Sequence, residues 1–173
     1  MAVLVLDRRK KPLMPCSEKR ARLLLERGRA VVHKMRPFTI RLKDRTAEAS
    51  TLQPVRIKID PGSKTTGVTV IREDDSDPEQ QQVLMLMEVE HRGHQIKDAL
   101  TQRRAFRRRR RGQLHHRAPR FDNRTRPRGW LAPSLQHRVD TTLAWVARLR
   151  RLAPVTAIDQ ELVRFDTQAM EAP

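Results

Sequence analysis

Two acidic side chains, Asp60 and Glu161, are the residues of this sequence whose type and setting point to chemistry. Asp60 closes the alternating run Val55-Arg56-Ile57-Lys58-Ile59-Asp60, which reads as a strand with one apolar and one charged face, and Pro61-Gly62 ends it. Glu161 lies near the end of a second strand-like run, 155–162. Carboxylates brought close together repel, and one of them takes a proton unless a divalent cation is shared. Mg2+ suits such a pair because it accepts oxygen ligands and keeps waters for a reaction. Two such ions about 3.5–4 Å apart can activate a water and stabilise the leaving oxygen of a phosphodiester. Spacing alone does not select this chemistry. Asp-Pro-Gly after a strand is more often a plain turn. Asp159 also shares a strand face with Glu161 by the two-residue period, so either could be the inward carboxylate.

A second group of residues could bind rather than react. Arg103, Arg104, Arg107, Arg108, Arg109, Arg110 and Arg111 crowd into nine positions, interrupted only by Ala105 and Phe106. On a helix they would face all round the cylinder, with like charges three and four apart costing about 0.2–0.5 kcal/mol per pair. A lone phenylalanine gives that helix no apolar stripe to bury. Phosphates on several sides would make it an ordered rod, and without them the run is a solvated basic segment. Neutralising about six phosphates would make log K fall against log salt with a slope of roughly −5 to −6. Arg120, Arg124, Arg126 and Arg128 extend the basic surface and are expected to add backbone contacts that carry little sequence information. Trp130 could stack on a base, or pack beside Gly129 and Leu131.

Composition narrows the class. The chain has 173 residues, a formal net charge of +17, 38% hydrophobic residues and 3% aromatics, which is thin for a self-sufficient core and suits a nucleic-acid partner. No apolar run approaches the roughly 20 residues of a membrane span, and the N-terminus lacks the apolar stretch of a signal peptide. The single Cys16 excludes an internal disulfide framework and fits a reducing cytoplasm. No base stands near it in sequence to make it a nucleophile, and the histidines, His115-His116 included, lack paired metal-finger spacing.

The elements that must position these groups can be read along the chain. Residues 3–6 form a short apolar strand, and Pro12-Leu13-Met14-Pro15 is too proline-rich for a helix or a central strand. Ser17 caps a helix over 18–27, with Ala21, Leu24 and Leu25 on one face and Gly28 as its stop. Strands follow at 30–32 and 38–42, closing a basic module at 1–43, and 44–54 reads as a polar linker. Strands at 55–60, 67–71 and 83–89 make an antiparallel meander within 55–93, with an acidic turn at 73–82. The arginine helix occupies 94–112 of a segment ending near 118, its first turns anchored by Ile96, Ala99 and Leu100. Within 119–173 come a basic loop and then a helix over 134–152. Ser134 is its N-cap, and Leu135, Val139, Leu143, Val146 and Leu149 form its core stripe, with Trp145 at the edge; the fourth strand follows.

Three antiparallel strands, a helix and a fourth strand, with a carboxylate ending the first, is the opening order of an RNase H-like α/β fold. There the fourth strand lies beside and parallel to the first, which would bring Glu161 to Asp60.

Several motifs then occur in order: Pro12-Leu13-Met14-Pro15, Ile59-Asp60-Pro61-Gly62-Ser63-Lys64-Thr65-Thr66-Gly67, the arginine run, Arg120-Phe121-Asp122-Asn123-Arg124, Arg126-Pro127-x-Gly129-Trp130-Leu131-x-Pro133 and Glu161-Leu162-x-Arg164-Phe165. Across essentially the whole chain this resembles the N-terminal part of the IscB family, transposon-encoded RNA-guided nucleases. The region also resembles the RRXRR domain, whose motif Arg107-Arg108-x-Arg110-Arg111 satisfies.

The resemblance implies an RNA-holding PLMP module in the first segment and an arginine-rich bridge helix between RNA and the guide–target heteroduplex. It implies a split RuvC nuclease centre in which Asp60 and Glu161 are the first two carboxylates, holding Mg2+. Asp159 falls where the family has an apolar residue, which favours Glu161. The implied partners are a structured guide RNA and target DNA. An HNH insert and a third RuvC segment, expected after Glu161 in the family pattern, do not occur before Pro173. The resemblance therefore implies a fragment or split product, the missing segments supplied in cis or in trans and the isolated chain inactive as a nuclease. The competing reading of the residues is a non-catalytic basic RNA-binding module of a mobile element.

Overall fold

The computed structural model describes residues 2–73, 81–112 and 125–162. The fold is mixed α/β, with two four-stranded sheets and three helices among those residues. The first sheet takes β1 (Ala2–Leu6), β2 (Pro12–Ser17), β3 (Ala30–Lys34) and β4 (Thr39–Leu42) in the order β2-β1-β4-β3. β1 is buried on both faces, and this is why it reads as an unbroken apolar run. Val3 and Val5 meet Ala21 of α1 (Glu18–Glu26), whereas Leu4 and Leu6 join a separate cluster on the opposite side. The proline-rich segment is a strand after all, but an edge strand. Pro12 starts it, and Pro15 falls in a bulge where Met14 and Pro15 together oppose Leu4.

The expected caps of α1 are present. The Ser17 hydroxyl accepts from the Arg20 amide at 3.4 Å, and Gly28 takes φ +65°. Arg29 N–H then returns to the Leu24 carbonyl and Gly28 N–H to that of Leu25, a Schellman closure. Residues 44–54 contain no helix or strand and are tied back to the first sheet. Asp7, fully buried, accepts from the amides of Lys11 (2.7 Å) and Ala47 (3.0 Å). The Lys11 ammonium, 2.6 Å away, holds the Glu48 carboxyl down to about 2, and Arg29 likewise lowers that of Asp44.

The second sheet is β5 (Val55–Pro61), β6 (Thr65–Glu73), β7 (Gln81–Glu90) and β8 (Val155–Gln160), in the order β7-β6-β5-β8. The first three form the antiparallel meander expected from the alternation, and β8 lies parallel to β5. Val55, Ile57 and Ile59 point to the core with Val68, Val70, Leu84 and Val89, leaving Arg56, Lys58 and Asp60 on the other face.

α3 (Pro133–Leu152) packs against both sheets. Its Leu149 is in the core of the second sheet, while Leu152 and the following Ala153 join Leu4 and Leu6 of β1. Two expectations need correction here. The helix begins one residue earlier than expected, with Pro133 at its first position and Ala132 as an N-cap that offers no side-chain bond. The core stripe is only half a stripe: Val146 and Leu149 are covered, but Leu135, Val139 and Leu143 are 42%, 43% and 61% exposed. The sheet reaches only the C-terminal turns of the helix. α2 (Gly93–Gly112) buries none of its residues; of the expected anchors only Ile96 is even half-buried. No helix among the described residues is long and apolar enough to cross a membrane.

Candidate catalytic and nucleic-acid site

Asp60 stands at the end of β5, one step before Pro61 closes the strand. The β5–β8 register pairs Lys58 with Asp159 and Ile59 with Gln160, and Glu161 N–H continues the ladder by donating to the Ile59 carbonyl at 2.9 Å. That bond sets Glu161 directly beside Asp60 across a parallel pair, strands that lie about 4.8 Å apart. Both carboxylates are exposed. They line an open groove of about 420 Å³ together with Lys58, Gly67, Thr69 and Asp159. No hydrogen bond or ion pair among the described residues engages either carboxylate.

Asp159 lies on the same face but is committed elsewhere. Arg56 Nη1 donates to both of its oxygens, at 2.7 and 2.9 Å, while Arg56 Nε donates to Glu73. These bonds, to Glu73 and then Asp159, raise the pKa of the guanidinium further. Of the two candidate carboxylates on the fourth strand, Glu161 is therefore the one left open. Arg56 itself was not legible as a site residue, because its partner is distant in sequence and only the strand register brings them together.

The turn after Asp60 is fixed by backbone crowding. A Cβ on Gly62 would lie 2.2 Å from the Thr65 carbonyl oxygen, so only glycine fits. Gly67, paired with Asp60, presents no side chain where a Cβ would contact that aspartate at 3.6 Å. Thr66 and Lys64 then tie this turn to the base of α2. His91 N–H donates to the Lys64 carbonyl at 2.9 Å, and the Thr66 hydroxyl and His91 Nε2 share a buried hydrogen bond of 2.7 Å. Burial, then Arg138 and His137 of α3, lower the His91 pKa. His91 thus joins the carboxylate end of the sheet to the arginine helix. Its position just before that helix was its only trace in sequence.

α2 carries Arg103, Arg104, Arg107, Arg108, Arg109, Arg110 and Arg111, all exposed and spread round the helix. The last three also sit favourably against the C-terminal end of the helix dipole. Arg126 and Arg128 are exposed in the segment before α3. Arg126 lies over the Trp130 ring, 3.8 Å from its centroid, in a turn closed by Trp130 N–H to Pro127 O with Gly129 at φ +77°. Arg120, Arg124, His115 and His116 lie outside the described residues. Cys16 is half-buried, and burial pushes its thiol up, away from nucleophilic use.

Comparison with known proteins gives one family. The family model described as RRXRR protein matches residues 3–173. No curated protein matches the chain.

Proposed function

The chain belongs to the RRXRR protein family, and from that premise we propose that it is the guide-RNA-binding and partial RuvC portion of an IscB-like RNA-guided DNA endonuclease. The observation that carries this reading is the parallel pairing of β8 with β5. It sets Asp60 and Glu161 side by side, at the end of the sheet from which the arginine helix departs. The order β7-β6-β5-β8 is that of the first four strands of an RNase H-like sheet, which supports the same assignment.

The donor set suits Mg2+: two exposed carboxylates, oxygen ligands only, with the adjacent Asp159 occupied by Arg56. Asp60 and Glu161 would hold the ion, which would supply an activated water and charge stabilisation at the phosphodiester. The IscB pattern adds further ligands from a later RuvC segment, in cis or in trans. The arginines of α2 neutralise the phosphates of a structured guide RNA and its heteroduplex with target DNA, while base pairing to the guide reads the sequence.

A second reading, a non-catalytic RNA-binding module, is favoured by one observation. Among the described residues no group of three or more His, Cys, Asp or Glu side chains is placed to hold a metal. The two are separated by one pair of experiments. In a complete protein carrying the remaining nuclease segments, Asp60→Ala should abolish Mg2+-dependent cutting of the displaced strand and leave RNA affinity intact. In this chain, alanine at Arg107 to Arg111 should weaken RNA binding and flatten its salt slope by about 3–5. Unchanged cutting by Asp60→Ala would leave only the RNA-binding module, and an unchanged slope would remove the role of the arginine helix.

A further inference from the structure

Phe106 is 63% exposed in the middle of the arginine run, on a helix that buries none of its residues. With Leu100, Arg103, Arg107 and Arg110 it lines an open groove of about 610 Å³ along one face of α2. The two tryptophans of the chain are treated differently. Arg126 lies over Trp130, and Arg148 lies 4.4 Å from the Trp145 centroid. Among the described residues no cation covers Phe106, although seven arginines share its helix. Arg103 at i−3, Arg107 at i+1 and Arg110 at i+4 line the groove around the ring, and Phe106 stays 63% exposed among them.

We propose that Phe106 is a stacking platform for an unpaired RNA base, with Arg103, Arg107 and Arg110 holding the phosphates on either side of that nucleotide. This rests on the RNA-binding half of the function proposed above and is independent of the nuclease half. The charge around the ring selects the occupant. An apolar protein surface seated on Phe106 would have to desolvate the flanking guanidiniums without pairing them. A nucleotide supplies a π face for the ring and anionic oxygens for the arginines at once. Helical RNA keeps its base faces stacked on one another, so the ring selects a base that is bulged, splayed or in a single strand.

The test measures binding of the full 173-residue chain to a single-stranded RNA and to a long RNA duplex, by fluorescence anisotropy. Phe106→Ala and Phe106→Leu should each lose roughly 5- to 150-fold in single-strand affinity, the range set by stacking of about 1–3 kcal/mol per base. Duplex affinity should change by less than about 2-fold and the salt slope should stay, since no charge is removed. Phe106→Tyr should keep the affinity, and a 2-aminopurine base in the single strand should be quenched by the parent chain and less so by Phe106→Leu. Far-UV circular dichroism checks that the exposed site leaves the fold unchanged. Wild-type single-strand affinity in Phe106→Leu, or equal losses on both RNAs, overturns the platform. So does loss of self-association in Phe106→Ala with RNA binding intact, which would make the groove a protein interface. Failure of the parent chain to bind any RNA overturns the RNA-binding reading as well; tight binding that ignores Phe106 overturns the platform alone.

Discussion

Arg56 reaches diagonally across the parallel pair β5–β8 to Asp159, with one guanidinium nitrogen 2.7 and 2.9 Å from the two carboxylate oxygens. Strand periodicity makes Asp159 and Glu161 equivalent, and this contact makes them different. One carboxylate is neutralised where it stands, and the other is left for a ligand.

The pair should therefore behave as a unit. Arg56→Leu is expected to lower the urea midpoint only modestly, because the network is partly open to solvent. Asp159→Asn should cost less, and the double variant no more than Arg56→Leu alone, because the shared contact is lost only once. Urea unfolding of the four proteins checks this, and strictly additive losses would mean that the two side chains do not interact.

Gly62 should tolerate no side chain. Its added Cβ meets backbone, which cannot swing aside as a side chain could, so Gly62→Ala is expected to cost about 2–3 kcal/mol. Gly112→Ala is the control: nothing lies within 4 Å of a Cβ at that position, and stability should change by less than about 0.5 kcal/mol. Similar midpoints for both variants in urea would refute the crowding at Gly62.

α3 should show a sharp gradient in the cost of truncation. Leu149→Ala removes a fully buried side chain and is expected to lose about 2–5 kcal/mol. Leu143→Ala, less than two turns earlier and 61% exposed, should change stability by less than about 0.5 kcal/mol. Comparable losses at the two positions would restore the full core stripe that the sequence suggested.

His91 should make stability depend on pH. Its folded pKa lies below the ordinary value of 6.5, so the folded protein prefers the neutral ring. Above 6.5 this contribution is fully present. As pH falls below 6.5 the unfolded chain takes up a proton that the folded one resists, and stability declines until the folded pKa is passed. His91→Gln should flatten the fall in urea midpoint between pH 7 and pH 5 relative to the parent chain. A parallel fall in both proteins would assign the dependence to other groups.

What could be read from the sequence follows from how each element meets water. β5 was legible because one of its faces is wet, so charge alternates with Val55, Ile57 and Ile59. β1 was legible for the opposite reason, being covered on both sides. β2 was recognised only as something other than a helix or central strand; its prolines are accommodated by an edge and a bulge, which are properties of the sheet around it. Periodicity in α3 showed that one face is apolar but not what covers it, and the second sheet covers only its last turns.

The candidate site divides in the same way. Asp60 and Glu161 could be named from residue type and resemblance, and the helical arginine run from composition. The commitment of Asp159 to Arg56, the crowding at Gly62 and the buried Thr66–His91 link could not. Each depends on a register or a turn that appears only once the strands are paired.

The placement of α3 has a mechanical consequence. Leu149 and Leu152 are less than one turn apart, yet they belong to different apolar clusters, one under each sheet. A force that lifts the last turn of this helix therefore unseats both layers together, and neither can be loosened without the other feeling it. β8 begins three residues after Leu152 and ends beside Glu161, so a displacement of that turn would carry to the strand that leads to this carboxylate.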